Sequence, residues 1–325
     1  IARVAVMGWT PGSQLGLAVL AAAVVLHLVG RRRQPRVPGN RVALVTGAAG
    51  GIGRETVVRL ASVGWKVIAT DRDEAALAEL YKHAPSAVTT VTADISVLEG
   101  CQALADEVHR RTSGRLHALV NCAGVLPVRP VVAGSDEEDS VVFAVNLRAP
   151  MRLTKLLWPM LVGDAAGGVV VNVSSKAGRE AFLWTGCYGA SKAALTLHTA
   201  ALRAEARANG LPLRAVTIEP GPVVTPLISD LAQRQMSWVE DHPSSPWGGR
   251  LRKAAQAKLN LIARGISLDT ASVTPGDVAD AICHACSNPH PPAVYPVQTL
   301  VFRGLAWVLA SAPTGFGDAL RPWCS

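Results

Sequence analysis

Short hydrophobic runs alternate along the chain with amphipathic stretches long enough to form helices. The runs are rich in valine, isoleucine and leucine, and they predict strands at residues 41–45, 66–70, 87–91, 116–121, 168–173 and 213–218. Strands that are apolar throughout and alternate with helices are typical of a parallel sheet buried between two helical layers. The pattern therefore predicts an α/β fold with one doubly wound, mainly parallel sheet and helices on both faces.

The length of the chain fits one such domain with a shorter segment at each end. A chain of 325 residues accommodates an α/β domain of about 250 residues plus appendages. We assign residues 1–40 to an apolar and basic N-terminal segment, 41–297 to the domain and 298–325 to an apolar tail. The last predicted helix covers residues 275–287, and a weak strand pattern follows at 293–297.

Positive charge is concentrated at the N-terminus. The formal net charge is +8, but residues 1–41 hold six arginines and no acidic residue, which leaves +2 for the rest of the chain. A basic face for nucleic acid would need this charge to be spread over the domain. We therefore expect no nucleic-acid partner.

An apolar run near the N-terminus predicts a membrane anchor. Residues 15–30 are almost entirely apolar and are followed by Arg31, Arg32 and Arg33. As a helix they would span about 24 Å, so crossing a core of ~30 Å needs residues 4–9 or a thinned bilayer. Because arginine clusters stay cytoplasmic, we expect the domain to face the cytoplasm, with the endoplasmic reticulum as its membrane. A cleavable signal peptide and a mitochondrial transit peptide are the alternatives.

The six cysteines do not form a recognisable disulfide framework, which favours a reducing compartment. Cys283 and Cys286 have the spacing of half a zinc site. However, no second pair follows, and cysteines three residues apart on a helix more often pack in a core. We therefore predict no metal site.

A glycine-rich turn follows the first predicted strand. Residues 46–53 read Thr-Gly-Ala-Ala-Gly-Gly-Ile-Gly and lead into a helical pattern over 54–62. Glycines let the backbone approach a pyrophosphate, and the positive end of a helix dipole favours its charge. The segment predicts a dinucleotide-binding site that includes Gly47, Gly51, Ile52 and Gly53.

The choice of dinucleotide depends on the end of the second predicted strand. An acidic side chain there accepts hydrogen bonds from the adenosine 2′-hydroxyl and repels a 2′-phosphate, so Asp71 favours NAD. The adjacent Arg72 could pair with a 2′-phosphate, which keeps NADP as the alternative.

Tyr188 and Lys192 are four residues apart in a predicted helix and therefore lie on one face. A lysine charge in this position stabilises a phenolate and predicts a lowered pKa for Tyr188, which would make a base near neutral pH. Taken alone, such a pair is as typical of a solvated helix face.

Together these motifs resemble the short-chain dehydrogenase/reductase family. The likeness rests on the T-G-x-x-x-G-x-G turn and on Tyr188-x-x-x-Lys192 with Ser175 thirteen residues before the tyrosine, and it extends over about residues 42–225. It implies a Rossmann domain that binds NAD or NADP and interconverts an alcohol and a carbonyl compound. An NAD-binding scaffold without activity is the alternative, which the complete catalytic set disfavours.

The resemblance assigns further site residues. In the catalytic set, Tyr188 transfers the proton, Ser175 holds the substrate oxygen, Lys192 also binds the nicotinamide ribose, and Asn146 holds a water of a proton relay. The cofactor-binding residues that it adds are Asp94 and Ile95 on the adenine side, the turn Asn121, Ala123 and Gly124, and the nicotinamide loop Pro220, Gly221, Val223 and Thr225. Cys122 stands where the family has a second asparagine in that turn.

Substrate identity is expected to depend on residues 227–274, the part that varies most in this family. The apolar N-terminal segment, the Glu219-Pro220-Gly221 turn and the apolar residues 300–310 resemble the membrane-associated hydroxysteroid and retinol dehydrogenases. This likeness implies a lipophilic secondary or allylic alcohol, a membrane and a second copy of the chain as partners. An NADPH-dependent reductase of carbonyl lipids is the alternative.

Overall fold

The computed structural model describes residues 41–83, 86–164, 166–223, 225, 231–250, 252–253, 255–256 and 273–298. The predicted N-terminal anchor, part of the substrate region (227–230, 251, 254 and 257–272) and the tail beyond residue 298 lie outside these residues. Within the described ranges, no helix has both the length and the apolar character needed to cross a membrane.

A seven-stranded parallel sheet organises the described part of the chain. Its strands are β1 (Val42–Thr46), β2 (Lys66–Asp71), β3 (Val88–Thr92), β4 (Ala118–Asn121), β5 (Gly168–Val173), β6 (Leu213–Pro220) and β7 (Val294–Val297). They are arranged in the order β3-β2-β1-β4-β5-β6-β7, and every neighbouring pair is parallel. The order reverses between β1 and β4, where a doubly wound sheet opens a crevice at its carboxyl edge. The predicted doubly wound parallel sheet is thus confirmed.

Helices connect the strands and cover both faces of the sheet. They are α1 (Gly51–Ser62), α2 (Glu74–His83), α3 (Leu98–Thr112), α4 (Asp136–Phe143), α5 (Ala149–Leu156), α6 (Trp158–Val162), α7 (Gly186–Ala208), α8 (Leu231–Asp241) and α9 (Pro275–Ser287). A π-helical turn, Ala144–Arg148, joins α4 to α5. Short 3₁₀ turns follow β4 and β5 at Val131–Ala133 and Lys176–Gly178.

Two hydrophobic clusters, one on each side of the sheet, form the core. Ala43 and Val45 of β1 belong to the cluster that includes residues of α1 and α9, whereas Leu44 belongs to the cluster with α3 and α5. All three side chains are fully buried. Alternate residues of a strand point to opposite faces, so a sheet covered on both sides requires apolar residues at every position. Each large aliphatic side chain buried in this way contributes about 1.5–3 kcal/mol.

Three features extend or modify the predicted elements. Helix α1 begins at Gly51, three residues before the predicted start, so two of the three motif glycines lie inside its first turn. Strand β6 continues two residues further, because its pairing with β7 runs on to Pro220. The π-helical turn was not predicted from the sequence, and it contains Asn146.

Candidate active site

The glycine turn after β1 packs directly against the backbone that follows β4. Gly47 has a φ of +65°, and a Cβ atom there would lie 2.7 Å from the Cα of Ala123. A Cβ on Gly53 would lie 2.0 Å from the carbonyl oxygen of Gly47, and one on Gly51 would lie 2.8 Å from Cγ2 of Thr225. The glycines are therefore required by the packing of the protein itself, in addition to any approach of a pyrophosphate.

The start of α1 next to this turn fits a phosphate group. Gly50 is the N-cap and offers no side chain to the first N–H groups of the helix, and the first turn carries no acidic residue. Orphan N–H groups at the positive end of a helix dipole bind anions. Ile52 lies in this turn, so Gly51, Ile52 and Gly53 are placed where a dinucleotide would need them.

Thr46 is a site residue that motif reasoning did not assign. Its Oγ1 accepts hydrogen bonds from the N–H groups of Cys122 and Ala123 at 3.1 and 3.2 Å. The threonine therefore holds the end of β1 against the turn after β4. Thr46 is the first residue of the T-G-x-x-x-G-x-G motif, and this position in the motif could have predicted its role.

Asp71 ends β2 beside the glycine turn and binds that turn directly. Its Oδ2 accepts a hydrogen bond from the N–H of Ala49 at 3.1 Å, and its Oδ1 accepts one from the N–H of Arg72 at 2.8 Å. The carboxylate thus lies where a 2′-hydroxyl would be recognised and also stabilises the turn. The side chain of Arg72 is exposed at the same edge.

Asp94 and Ile95, which the family resemblance assigns to the adenine side, follow β3 at the carboxyl edge of the sheet. Hydrogen bonds from Ser96, one of them from its N–H at 2.9 Å, lower the pKa of Asp94, and the charge of Arg72 adds to this effect. Ile95 is buried in the cluster that contains Leu44. The aspartate therefore remains ionised at the rim of the site while the isoleucine fixes its backbone.

The side chain of Asn121 begins a chain of buried hydrogen bonds that runs through Asn172 to Thr199. Its Nδ2 donates to Oδ1 of Asn172 at 2.7 Å, and Nδ2 of Asn172 donates to Oγ1 of Thr199 at 2.8 Å. All three residues are buried. These hydrogen bonds tie β4, β5 and α7 together below the catalytic residues, and Ala123 and Gly124 continue the polypeptide toward the crevice.

The side chains of Lys192 and Asn146 approach Gly124, and Tyr188 lies beside Lys192. The Nζ of Lys192 donates to the carbonyl oxygen of Val173 at 2.8 Å. A Cβ on Gly124 would lie 3.5 Å from both this Nζ and Oδ1 of Asn146. The same Nζ lies 5.8 Å from the centroid of the Tyr188 ring. The structure therefore brings the predicted lysine, asparagine and tyrosine together.

The predicted effect of Lys192 on Tyr188 is not what the structure gives. Burial raises the pKa of Tyr188, and the opposing, lowering contribution comes from a hydrogen bond with Ser175. Burial also lowers the pKa of Lys192 to about 8. The expectation of a lowered tyrosine pKa was wrong for this state of the site, because helical spacing reveals proximity but not desolvation.

The two adjacent serines after β5 have different environments. Ser174 is buried, donates to the carbonyl oxygen of Lys192 at 2.9 Å and shares a hydrogen bond of 2.7 Å with Thr196. Ser175 accepts a hydrogen bond from the N–H of Ala177 at 3.1 Å, and its hydroxyl is close enough to Tyr188 to lower the pKa of the phenol. Only the second serine is thus in contact with the tyrosine.

Asn146 is completely buried in the π-helical turn. Its Oδ1 accepts from the N–H of Val125 at 2.9 Å, and its Nδ2 donates to the carbonyl of Val125 and to Oγ of Ser191, each at 3.0 Å. Such π-bulges are frequent at functional sites because they displace backbone groups from the helical pattern. The water relay assigned to Asn146 stays a prediction.

The loop after β6 connects the two ends of the crevice. Gly221 donates its N–H to the carbonyl of Val297 at 2.9 Å, directly after Pro220. Val223 forms an isolated parallel bridge with Val273, and Thr225 contacts Gly51 of the glycine turn as described above. Of the four predicted loop residues, Thr225 therefore lies beside the start of α1, while Pro220 and Gly221 lie beside the end of β7.

The cysteines contribute little reactivity to this region. Burial raises the pKa of Cys122 to about 12, with a smaller opposing effect from Lys192. Cys283 and Cys286 are fully buried in the core, and burial raises the pKa of both thiols. Among the described residues, no three histidine, cysteine, aspartate or glutamate side chains form a group that could hold a metal ion.

The fold and site together define a nucleotide-dependent oxidoreductase, and comparisons with known proteins identify its family. A family model described as short chain dehydrogenase matches residues 41–236, so the chain belongs to this family. It is 30% identical over 246 residues to L-xylulose reductase from Mesocricetus auratus, covering 73% of this chain and 95% of the relative. It is 32% identical over 184 residues to galactitol 2-dehydrogenase from Agrobacterium fabrum, covering 57% of this chain and 71% of the relative.

Solved structures show the same fold. A short-chain dehydrogenase from Streptomyces avermitilis has a TM-score of 0.65 at 25% identity, over 88% of this chain and 97% of that one. A short-chain dehydrogenase from Shigella flexneri in complex with NADP has a TM-score of 0.63 at 24% identity, over 81% and 98%. The chain is therefore an NAD(P)-dependent short-chain dehydrogenase/reductase.

Replacing Tyr188 by Phe should abolish turnover while leaving cofactor affinity nearly unchanged. The variant loses the hydroxyl that transfers the proton but keeps the ring, so we expect turnover to fall by about 100-fold or more. Steady-state rates and a fluorescence titration with NADH measure the two effects. Tyr81→Phe on α2, where the side chain is exposed, is the matched control. A Tyr188→Phe variant that retains more than about a tenth of the wild-type rate would contradict the assignment.

Proposed function

We propose that this enzyme is an NAD-dependent dehydrogenase of lipophilic secondary or allylic alcohols, steroid- or retinoid-like, with Tyr188 as general acid/base. The cluster of Tyr188 with the buried Lys192 and Asn146, with Ser175 beside the tyrosine, is the observation that carries the reaction type. Asp71 at the end of β2 supports the choice of NAD. The two parts of the proposal therefore rest on different residues and can be tested separately.

The residues of this chain divide the chemistry between them. When bound, NAD supplies the hydride acceptor for the carbinol carbon. Tyr188 takes the hydroxyl proton of the alcohol, and Ser175 holds the substrate oxygen by a hydrogen bond. Lys192, fixed at the carbonyl of Val173, places a positive charge in the site below a pH of about 8 and offers a donor to the nicotinamide ribose.

Exposed apolar side chains at the carboxyl edge of the sheet support a lipophilic substrate. Val131 follows β4, Leu183 follows β5 and Trp247 follows α8, with exposures of 70%, 47% and 51%. Strand β7 also ends at this edge, and the sequence that follows it is mostly apolar at residues 300–310. An apolar rim of this kind favours substrates that partition out of water.

Reduction of a carbonyl compound with NADPH is the second candidate. Because burial raises the pKa of Tyr188, the phenol keeps its proton at neutral pH and is suited to donate it to a developing alkoxide. Arg72, exposed beside Asp71, could pair with a 2′-phosphate. This candidate function uses the same catalytic residues. It differs from the first in the direction of the reaction, which is reduction, and in the cofactor, which is NADPH.

We further propose that the enzyme is attached to a membrane and is a homodimer. The apolar run of residues 15–30 with the arginines that follow it supports attachment, with the domain on the cytoplasmic side of the endoplasmic reticulum. Leu197 of α7 and Val141 of α4 are 73% and 51% exposed, which fits helices that pack against a second copy.

A panel of alcohols tested with both cofactors distinguishes the substrate classes. We expect a steroid or retinoid secondary or allylic alcohol to be oxidised with a kcat/KM well above that for xylitol and galactitol. The polyols are the informative comparison because relatives named above are a xylulose reductase and a galactitol dehydrogenase. Oxidation of polyols or short polar alcohols alone would contradict a lipophilic substrate.

Replacing Asp71 by Asn should weaken the preference for NAD over NADP. The amide retains one acceptor oxygen but no longer repels a 2′-phosphate, and the exposed Arg72 side chain can pair with that phosphate. We expect a shift of about 1–3 kcal/mol, roughly 5- to 150-fold in the ratio of dissociation constants, measured by titration with NADH and NADPH. Asp73→Asn removes a neighbouring exposed charge and is the control. A wild-type enzyme that prefers NADP would refute the role of Asp71.

Cell fractionation tests the proposed membrane attachment. We expect the full-length chain in the membrane pellet at both low and high salt and its release only by detergent, because apolar burial is insensitive to ionic strength. A chain that stays in the supernatant at both salt concentrations would exclude the anchor.

A further inference from the structure

Glu219 carries a buried carboxylate that the catalytic steps above do not use. It is 5% exposed and lies one residue before the end of β6. The Nε of Arg179 donates to both of its oxygens, at 2.7 and 2.8 Å, while the arginine side chain itself remains 55% exposed. A buried carboxylate without its cation is strongly unfavourable, so the position of Glu219 depends on Arg179.

This ion pair lies where the sheet ends. The pairing of β5 with β6 stops at Val173 and Ile218, and the N–H of Ser174 makes a last backbone bond of 2.8 Å to the carbonyl of Ile218. Beyond this point the two segments separate: one enters the turn Lys176–Gly178, while β6 stays paired with β7 as far as Pro220. The Arg179–Glu219 pair joins them again.

On one side, the pair is attached to the segment that carries Ser175. The N–H of Arg179 donates to the carbonyl of Lys176 at 2.9 Å, and the N–H of Gly178 donates to the carbonyl of Ser175 at 3.0 Å. A Cβ on Gly178 would lie 2.9 Å from the carbonyl carbon of Lys192. Arg179 therefore ends a tight turn that begins at Ser175 and presses against the backbone of Lys192.

On the other side, the pair is attached to the nicotinamide loop. Glu219 directly precedes Pro220 and Gly221, and the N–H of Gly221 is bonded to the carbonyl of Val297. Proline has a fixed φ, so a displacement of Glu219 is passed on to the backbone of the loop rather than absorbed at the next residue.

We propose that Arg179 and Glu219 are positioning residues that fix the distance between the Ser175 turn and the nicotinamide loop. The pair thereby sets the alignment of substrate oxygen and cofactor without touching either of them. The proposal rests on the roles given above to Ser175 and to the loop at Pro220. Because misplacement of reacting groups by about 1 Å can cost 100-fold in rate, a link at this junction has a catalytic consequence that an ordinary surface ion pair lacks.

The experiment compares Arg179→Met with two rescuing changes in the full-length chain. Arg179→Met leaves the carboxylate buried and unpaired, and we expect kcat/KM to fall by about 10- to 100-fold and the dissociation constant of NADH to rise several-fold. Arg179→Lys should recover most of the kcat/KM and most of the affinity for NADH, because an ammonium group can still donate to the carboxylate of Glu219. The double variant Arg179→Met with Glu219→Gln should also recover affinity, because the buried charge is gone.

Arg203 provides a matched control at the other end of the same strand. Its Nη1 donates to the carbonyl oxygens of Ala215 in β6 and of Ala293 before β7, at 3.0 and 3.1 Å. Arg203→Met should therefore lower the melting temperature by a few degrees, as the loss of a structural arginine does, without changing cofactor affinity.

Cofactor affinity separates the outcomes. An Arg179→Met variant that loses thermal stability like Arg203→Met but keeps wild-type affinity for the preferred cofactor would overturn the proposal. Should Arg179→Met fail to fold, Arg179→Gln replaces it. We expect the dissociation constant of NADH for this variant to rise at least about threefold. Unchanged cofactor affinity in Arg179→Gln would likewise overturn the proposal. Titration with both NADH and NADPH needs no substrate, so an error in the proposed substrate or cofactor preference leaves this test intact.

Discussion

The close approach of two backbone segments, the turn after β1 and the turn after β4, determines the geometry of the crevice. Gly47 adopts a left-handed conformation at a place where a side chain would collide with Ala123. Thr46 fixes the same contact by accepting two backbone hydrogen bonds. Because β1 and β4 are the strands between which the sheet order reverses, this contact lies at the switch point of the fold. The start of α1 and the position of Gly124, and with them the cofactor and catalytic sites, follow from it.

Burial opposes charge throughout the catalytic cluster. It raises the pKa of Tyr188 and of Cys122 and lowers that of Lys192, so each of these groups is pushed toward its neutral form. The structure counters this with hydrogen bonds, from Ser175 to the tyrosine and from Lys192 to the carbonyl of Val173. The resulting site holds protons close to the point of transfer, which suits an acid/base that works in both directions.

The sequence predicted the parts of the molecule that depend on local pattern. The buried strands could be predicted because a parallel sheet covered on both faces needs apolar residues at every position. The glycine turn could be predicted because its residues are contiguous in the sequence. Features that depend on contacts between residues far apart in the sequence could not be predicted. Arg179 and Glu219 are separated by 40 residues and meet only because β5 and β6 are neighbours. The π-helical turn at Asn146 and the direction of the Tyr188 pKa likewise depend on packing and burial, which residue spacing does not encode.

Asp71 shows how recognition and structure are combined in one side chain. One oxygen accepts from Ala49 in the glycine turn, while the other accepts from the backbone that follows β2. The carboxylate that would recognise a 2′-hydroxyl is thus also a support of the turn that would hold the pyrophosphate. A replacement at this position that removes the acceptor oxygen therefore does more than relieve the repulsion of a 2′-phosphate, because the N–H of Ala49 also loses its partner. Because the N–H of Ala49 is partly buried, leaving it unpaired costs up to about 1–3 kcal/mol, and this cost links the choice of nucleotide to the stability of the site.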